Sequence, residues 1–216
     1  SINTAVVCSK VFYHDDIRLH GSGNAGLTNT LRTYGKKAAL FTLAGDILKT
    51  VLSILVGGLC VGLQYKAGAF SLGLGGYLGA MFCILGHVCP VYYKFNGGKG
   101  VLCTATAVLV LSPLAFVVLF GVFALIVGIT KYVSLGSIIS ALSYPLFFNG
   151  LYRITQMTEE GVLPMPLWCP MFTIFCAVFI TWLHRENIKR LLKGEERKLS
   201  FKKKDVEVLP TDDKAS

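Results

Sequence analysis

Charge is scarce in this chain. Asp, Glu, Lys and Arg make up 15% of its 216 residues and hydrophobic types 53%, whereas soluble domains carry about 25% charged residues. With a mean hydropathy of +0.60, that shortage excludes an ordinary soluble domain and indicates a protein solvated by lipid. Acid is scarcer than base: 12 Asp and Glu against 21 Lys and Arg give a net charge of +9. Ten of the 21 Lys and Arg residues follow His184, beside the last apolar run, which suits a cytoplasmic tail facing anionic headgroups. No separate domain exists on which basic residues could interleave to bind nucleic acid. The seven cysteines include no C-x-x-C pair and lie mostly in apolar runs. They read as small buried hydrophobes, with neither a disulfide frame nor a metal site.

Apolar runs divide the chain. Residues 1–12 (SINTAVVCSKVF) are apolar but shorter than the ~20 residues a helical span needs, and they lack a basic n-region or cleavage signature. They are expected to be the second half of a membrane helix whose beginning lies outside this sequence. Further spans are expected at 38–65, 72–93, 138–151 and 167–183, and Ser112-Pro113 divides 101–130 into two short helices, since proline cannot continue a helix interior. The expected fold is an all-α integral membrane protein of about seven transmembrane helices over residues 1–197, followed by a charged, disordered cytoplasmic tail at 198–216. An odd number of spans puts the ends on opposite sides. With the basic tail inside, the polar stretches at 14–35, 94–100, 131–137 and from His184 onward share the cytoplasmic face, leaving Lys66 and Arg153 opposite.

The longest polar interval before the tail is HDDIRLHGSGNAGLTNTLRTYG, residues 14–35. Its glycines let backbone N–H groups point freely and a ligand approach closely, while Ser22, Asn24, Thr28, Asn29 and Arg32 supply donors for an anion. Thr28 or Asn29 is placed to cap the following helix. Gly21 to Gly26 matches G-x-G-x-x-G with Asp46 twenty residues on, but that dinucleotide fingerprint needs a soluble strand–turn–helix; here Asp46 lies inside a span. Asp46 and Lys49, three residues apart, share a helix face and read as an ion pair or as part of a site, because charge within a span is costly. In KFNGGKG, Lys99 stands among Gly97, Gly98 and Gly100, an exposed point charge for phosphate. The motif lacks the Ser or Thr and the strand of a P-loop. His184 and Asn187 share a helix face near Arg185 and Lys189.

Three blocks in order, residues 16–35 with Asp46 and Lys49, GHVCPVYYKFNGGKGV at 86–101 and HRENIKRLLKGEE at 184–196, resemble the bacterial acyl-phosphate:glycerol-3-phosphate acyltransferases (PlsY); KYVSLGSI at 131–138 does too. The chain departs from the family pattern at Ala25, Leu27, Thr50, Leu102 and Lys131. The resemblance implies transfer of an acyl group from acyl phosphate to the 1-hydroxyl of glycerol 3-phosphate, giving lysophosphatidic acid and phosphate, the first step of phospholipid synthesis, at a bacterial cell membrane and without a cofactor. By motif position it implies that Ser22, Arg32 and Lys99 bind phosphate, assisted by the Gly23–Asn24 backbone. His184 and Asn187 would hold the glycerol 3-phosphate, and Ser134 and Ser137 would support it. His184, His87 or the substrate's own phosphate is left as the base; Asp46, Lys49 and His87 are supporting residues. An acyl-CoA-dependent acyltransferase and a non-enzymatic anion or lipid transporter are the competing readings.

Overall fold

The computed structural model describes residues 1–64, 73–155, 157–158, 161–162 and 165–199. Among these, nine α-helices follow one another: α1 Thr4–Tyr13, α2 Leu27–Tyr34, α3 Lys36–Gln64, α4 Leu74–Val88, α5 Val101–Leu111, α6 Pro113–Thr130, α7 Val133–Thr155, α8 Trp168–Leu183 and α9 Arg185–Leu192. Two short 3-10 helices, Ile17–Leu19 and Val91–Tyr93, and a two-residue strand pair, Met157–Thr158 with Gly161–Val162, are the remaining regular structure among the described residues. Helices α3, α4, α6 and α7 are long and apolar enough to cross a membrane, and α8 with α9 makes a fifth if the pair, bent by 57°, is one span. Helices α1 and α5 are apolar but shorter.

Helix α3 is arranged inside out. Thr42, Asp46, Thr50 and Ile54 recur every four residues and are buried, whereas Leu48, Leu52, Val56 and Leu59 are exposed. In water the apolar stripe of a helix turns inward; in lipid the outward face is as apolar as its solvent and the polar groups must find partners inside. Thr50 Oγ1 donates to Asp46 O at 2.7 Å, and Ser53 Oγ donates across to Gly79 O at 2.8 Å. Glycines let α3 and α4 touch backbone to backbone: a Cβ on Gly57 would overlap Gly75 O, and one on Gly79 would overlap Ser53 O. Such small-residue contacts hold helices together where no hydrophobic drive exists between them.

The expected division at Ser112-Pro113 is found. Pro113 opens α6 at a position where its missing N–H is no loss. The expected polar break at 131–137 is narrower than the sequence implied. Lys131, left-handed at φ 64°, closes α6 by donating its N–H to Val127 O, and α7 begins at Val133. Ser134 and Ser137 therefore sit inside α7, which also runs past the expected end at 151 and carries Arg153. Lys198 and Leu199, the first residues of the expected tail, lie against the α6–α7 turn, where Leu199 N donates to Lys131 O at 2.7 Å. Lys66, Glu159, Glu160 and residues 200–216 lie outside the described residues.

The glycine seam gives a paired test. Gly79→Leu should destabilise the detergent-solubilised protein by about 1–3 kcal/mol or more through overpacking. Gly121→Leu, where a Cβ meets nothing within 4 Å, should stay within about 0.5 kcal/mol of the parent. Equal thermal midpoints for the two variants would show that the α3–α4 contact is not close.

Candidate active site

The loop before α2 is shaped by one amide. Asn29 Oδ1 accepts the Ser22 N–H at 3.0 Å, and Asn29 Nδ2 donates to Ile17 O and His20 O at 3.2 and 3.0 Å. A Cβ on Gly21 would overlap Asn29 Oδ1, and Gly21 and Gly23 both hold positive φ, so glycine is required in this turn. The expected cap is thereby corrected. Gly26 is the N-cap of α2 and makes no side-chain cap bond; Thr28 and Asn29 lie in the first turn, with Asn29 committed to the loop. The first N–H groups of α2 accordingly lack intrahelical partners, beside a cavity wall formed by Gly26, Leu27, Thr28 and Asn29. Arg18 fastens this loop to the 93–96 segment, pairing with Asp16 at 2.6 Å and donating to Tyr93 O at 2.9 Å and Asn96 O at 3.4 Å. The guanidinium holds the Asp16 carboxyl down at about 2.

Polar segments from four parts of the chain meet at one cavity of about 560 Å³. Its mouth is lined by Ser22, Asn24, Thr28, Asn29, Arg32, Lys99, Gly100, Ser134, Ser137, His184 and Asn187, with Asp46 and His87 at one side. Gly23, Gly97, Gly98 and Lys49 do not line it. The cavity continues into an apolar arm between α5, α6, α7 and α8, lined by Val108, Phe116, Leu119, Phe120, Phe123, Ala141, Tyr144, Cys176 and Ile180. On α7 the lining positions 133, 134, 137, 140, 141 and 144 trace one helical face. Cys176, Ile180 and His184, four apart, do the same on α8 and its end.

At the mouth Lys99 donates to Asn187 Oδ1. Asn187 Nδ2 donates to Glu196 Oε1 at 2.6 Å, which also accepts Ser134 Oγ at 2.8 Å, while Arg190 Nε donates to Glu196 Oε2 at 2.8 Å. Arg32 Nη2 donates to Arg197 O and Lys198 O, each at 3.2 Å. Glu196 is the residue that sequence reasoning missed. It stood within the third block as one acid in a basic run, and nothing local marked its role. Ser137 Oγ donates to Val133 O at 2.9 Å, within its own helix. His184, between α8 and α9, has Nδ1 2.8 Å from Ile180 O. A carbonyl only accepts, so we assign the ring hydrogen to Nδ1 and a lone pair to Nε2.

Burial and the nearby Arg190 pull the Lys99 ammonium down to about 8. Burial and Lys99 hold His184 at about 4. For Glu196, burial alone would raise the carboxyl, but hydrogen bonds from Asn187, Arg190 and Ser134 hold it below the usual range. Arg32, Lys99, Arg190 and Arg197 line the cavity against Glu196 and Asp46, and Asp46 is neutralised by Lys49 at 2.6 Å. The surplus is cationic.

Fold and site together define a polytopic membrane protein with a cationic mouth above an apolar cleft. The sequence model described as glycerol-3-phosphate acyltransferase matches residues 1–194, and the chain belongs to that family of membrane enzymes. A glycerol-3-phosphate acyltransferase of Mycoplasmopsis agalactiae is 39% identical, with 94% of this chain and 90% of that one covered. One of Clostridioides difficile is 38% identical over 94% of this chain and 91% of the relative. The crystal structure of PlsY (YgiH), an integral membrane glycerol 3-phosphate acyltransferase, in its glycerol 3-phosphate form superimposes with a TM-score of 0.71 at 27% identity, covering 92% of this chain and 90% of that one. Its lysophosphatidic acid form gives 0.68 at 28% identity, covering 92% and 93%.

A lysine held at about 8 is charged below that pH and neutral above it. Affinity for an acyl phosphate, measured without the acceptor, should therefore fall as pH rises from 7 to 9.5, and Lys99→Met should flatten that dependence. Calorimetric titration at the two pH values measures both; a wild-type affinity indifferent to pH contradicts Lys99 as an anion ligand.

Proposed function

We propose that this chain transfers the acyl group of an acyl phosphate to the 1-hydroxyl of glycerol 3-phosphate, releasing lysophosphatidic acid and phosphate. The observation that carries the reading is the single cavity joining a cationic mouth to an apolar arm. Both substrates are phosphorylated and one is a long chain, so two anions and one acyl tail must share such a space. The hydroxyl oxygen attacks the acyl carbonyl carbon, the bond from that carbon to the phosphate oxygen breaks, and the departing phosphate takes the hydroxyl proton. Ser22, Arg32, Lys99 and the N–H groups at the start of α2 hold the donor's phosphate, as helix N-termini suit anions. His184 and Asn187, supported by Ser134 and Ser137, hold glycerol 3-phosphate. Holding two reactants in line supplies ~7–11 kcal/mol of a barrier in favourable cases. One well-placed donor to developing charge adds ~2.7–4 kcal/mol. His87 is a poor candidate for the base, since its Nδ1 faces the Lys49 ammonium at 2.8 Å.

Seven crossings fit this reading, with α1 and α5 completed by their flanking residues, and place the cavity mouth and basic C-terminus on the cytoplasmic side. Lys10, Arg18, Arg32, Lys36, Lys37, Lys94, Lys99 and Lys131 then fall at or near the inner face, as the positive-inside tendency requires.

Incubating purified protein with glycerol 3-phosphate and either palmitoyl phosphate or palmitoyl-CoA separates the readings. Lysophosphatidic acid should form from palmitoyl phosphate alone. Product from the CoA ester identifies the other donor, and no product from either favours a transporter. Ser22→Ala and Lys99→Ala should each lose transfer by a factor of about 10² or more while keeping the parent's thermal midpoint; parental turnover in either sinks its assignment. His184→Gln should slow turnover but keep the shape of the pH–rate profile. Loss of one limb would instead make His184 the base.

A further inference from the structure

Among the described residues, Asp46, His87 and Cys103 bring an acid, an imidazole and a thiol together with their ligand atoms within 4.8 Å of one another. That is the composition of a cation site, and the chain supplies the cation itself. The Lys49 ammonium lies 2.6 Å from Asp46 Oδ1, 2.8 Å from His87 Nδ1 and 3.0 Å from Ile2 O. Three acceptors match its three N–H donors. Asp46 Oδ1 also accepts the Thr4 hydroxyl at 3.0 Å. Because an ammonium has no lone pair to offer, His87 Nδ1 accepts and Nε2 carries the ring hydrogen, so the ring is fixed in both tautomer and orientation.

The other side of His87 faces the glycine loop. His87 O accepts the Gly98 N–H at 3.2 Å and Val88 O accepts the Gly97 N–H at 3.1 Å. A Cβ on Gly97 would overlap His87 O, and one on Gly98 would overlap His87 Nε2. Glycine is thus needed at both positions because the His87 residue, backbone and ring, lies directly against them. The next residue is Lys99, and Gly100 then begins α5 in a left-handed conformation at φ 72°. A shift of the glycine pair has no slack in which to disappear before it reaches Lys99.

We propose that Lys49 and His87 are positioning residues: the Lys49 ammonium fixes the His87 ring, the ring and its carbonyl seat Gly97–Gly98, and that seat sets where Lys99 presents its charge at the cavity mouth. Neither Lys49, which does not line the cavity, nor His87, at its side, needs to touch substrate. The consequence for catalysis rests on the proposed role of Lys99, whereas the seating itself does not.

The test reads Lys99 directly. Pulse acetylation of the purified full-length protein with acetic anhydride between pH 6 and 10.5, followed by peptide mass spectrometry, gives the reactivity and titration midpoint of that amine with no substrate present. The charged and titratable groups around it are Arg185, Arg190, Glu196 and His184 at the α8–α9 end, with His87, Lys49 and Asp46 behind the loop. In the parent the midpoint should lie near 8. In His87→Leu, which cannot accept from Lys49, the loosened Lys99 should titrate higher, towards a solvated lysine, and so be acetylated more slowly at neutral pH, where less of it is the free amine. His87→Asn, whose Oδ1 can take the place of Nδ1, should restore the parent's behaviour. Turnover should follow, falling ten- to hundred-fold in His87→Leu, as a displacement of about 1 Å can cost, and recovering in His87→Asn. Gly98→Ala is the second route to the same displacement and should act in the same direction if His87→Leu does not fold.

An unmoved Lys99 midpoint in both His87→Leu and Gly98→Ala overturns the proposal, even if turnover falls. So does failure of His87→Asn to recover the parent midpoint. If Lys99→Met keeps full turnover, the phosphate role of Lys99 is wrong, and the acetylation result still decides whether Lys49 and His87 seat the loop.

Discussion

An ammonium inside a membrane span must find every partner it needs within the protein, and Lys49 does so. Its acceptors come from three parts of the chain: the segment leading into α1 through Ile2 O, α3 itself through Asp46, and α4 through His87. Lipid offers no substitute for any of them. Removing one member of a buried pair leaves an uncompensated charge, which costs several kcal/mol. The requirement that one charge be satisfied therefore draws α1, α3 and α4 together, and α1 and α4 carry the two loops that wall the cavity mouth. The α3–α4 glycine seam becomes intelligible in that light: close approach of the two backbones lets a side chain on α3 reach an imidazole on α4.

The second polar network, around Glu196, obeys different accounting. The Asp46–Lys49 pair is closed, one acid to one base. At the mouth Arg32, Lys99, Arg190 and Arg197 surround one carboxylate, Glu196, which pairs with Arg190 at 2.8 Å, so the donors outnumber the protein's own anions. Ser134 and Asn187 already point at that carboxylate, and their hydrogen-bonding geometry is set before any ligand arrives. Donors oriented in advance are worth more than donors that must reorganise. A phosphorylated ligand entering this mouth meets a field that Glu196 has balanced only in part.

Much of the fold could be read from the sequence because lipid imposes simple rules. Long apolar runs had to be helices, Pro113 had to begin a helix rather than continue one, and Asp46 with Lys49 had to share a face. Parts that depend on a single backbone torsion or on chain return were not readable. Lys131 in a left-handed conformation shortens the break before α7 to two residues, and lysine carries no signal for it. Asn29 looked like a cap, but its amide is consumed by Ser22, Ile17 and His20, a choice the tight turn at Gly21 dictates. Glu196 meets Ser134 across 62 residues only because α9 bends away from α8 by 57°. The site's membership was legible in its glycines, cations and block order; its wiring was not.

The electrostatics also bear on where the proton goes in the proposed acyl transfer. A general base works best when its pKa lies near the operating pH. His184 keeps a lone pair on Nε2, but burial and the neighbouring Lys99 ammonium hold it at about 4, which makes it a weak proton acceptor at neutral pH. The departing phosphate moves the other way, since its oxygens gain basicity as the bond to the acyl carbon breaks. Cations gathered at the mouth favour that anion's departure without competing for the proton. With Lys99, Arg32 and helix N–H groups in their proposed phosphate roles, a weakly basic histidine favours the leaving group as the base. The protein's contribution is then geometric: it fixes where Lys99 stands, through the glycine pair against His87, and leaves the proton to the substrate.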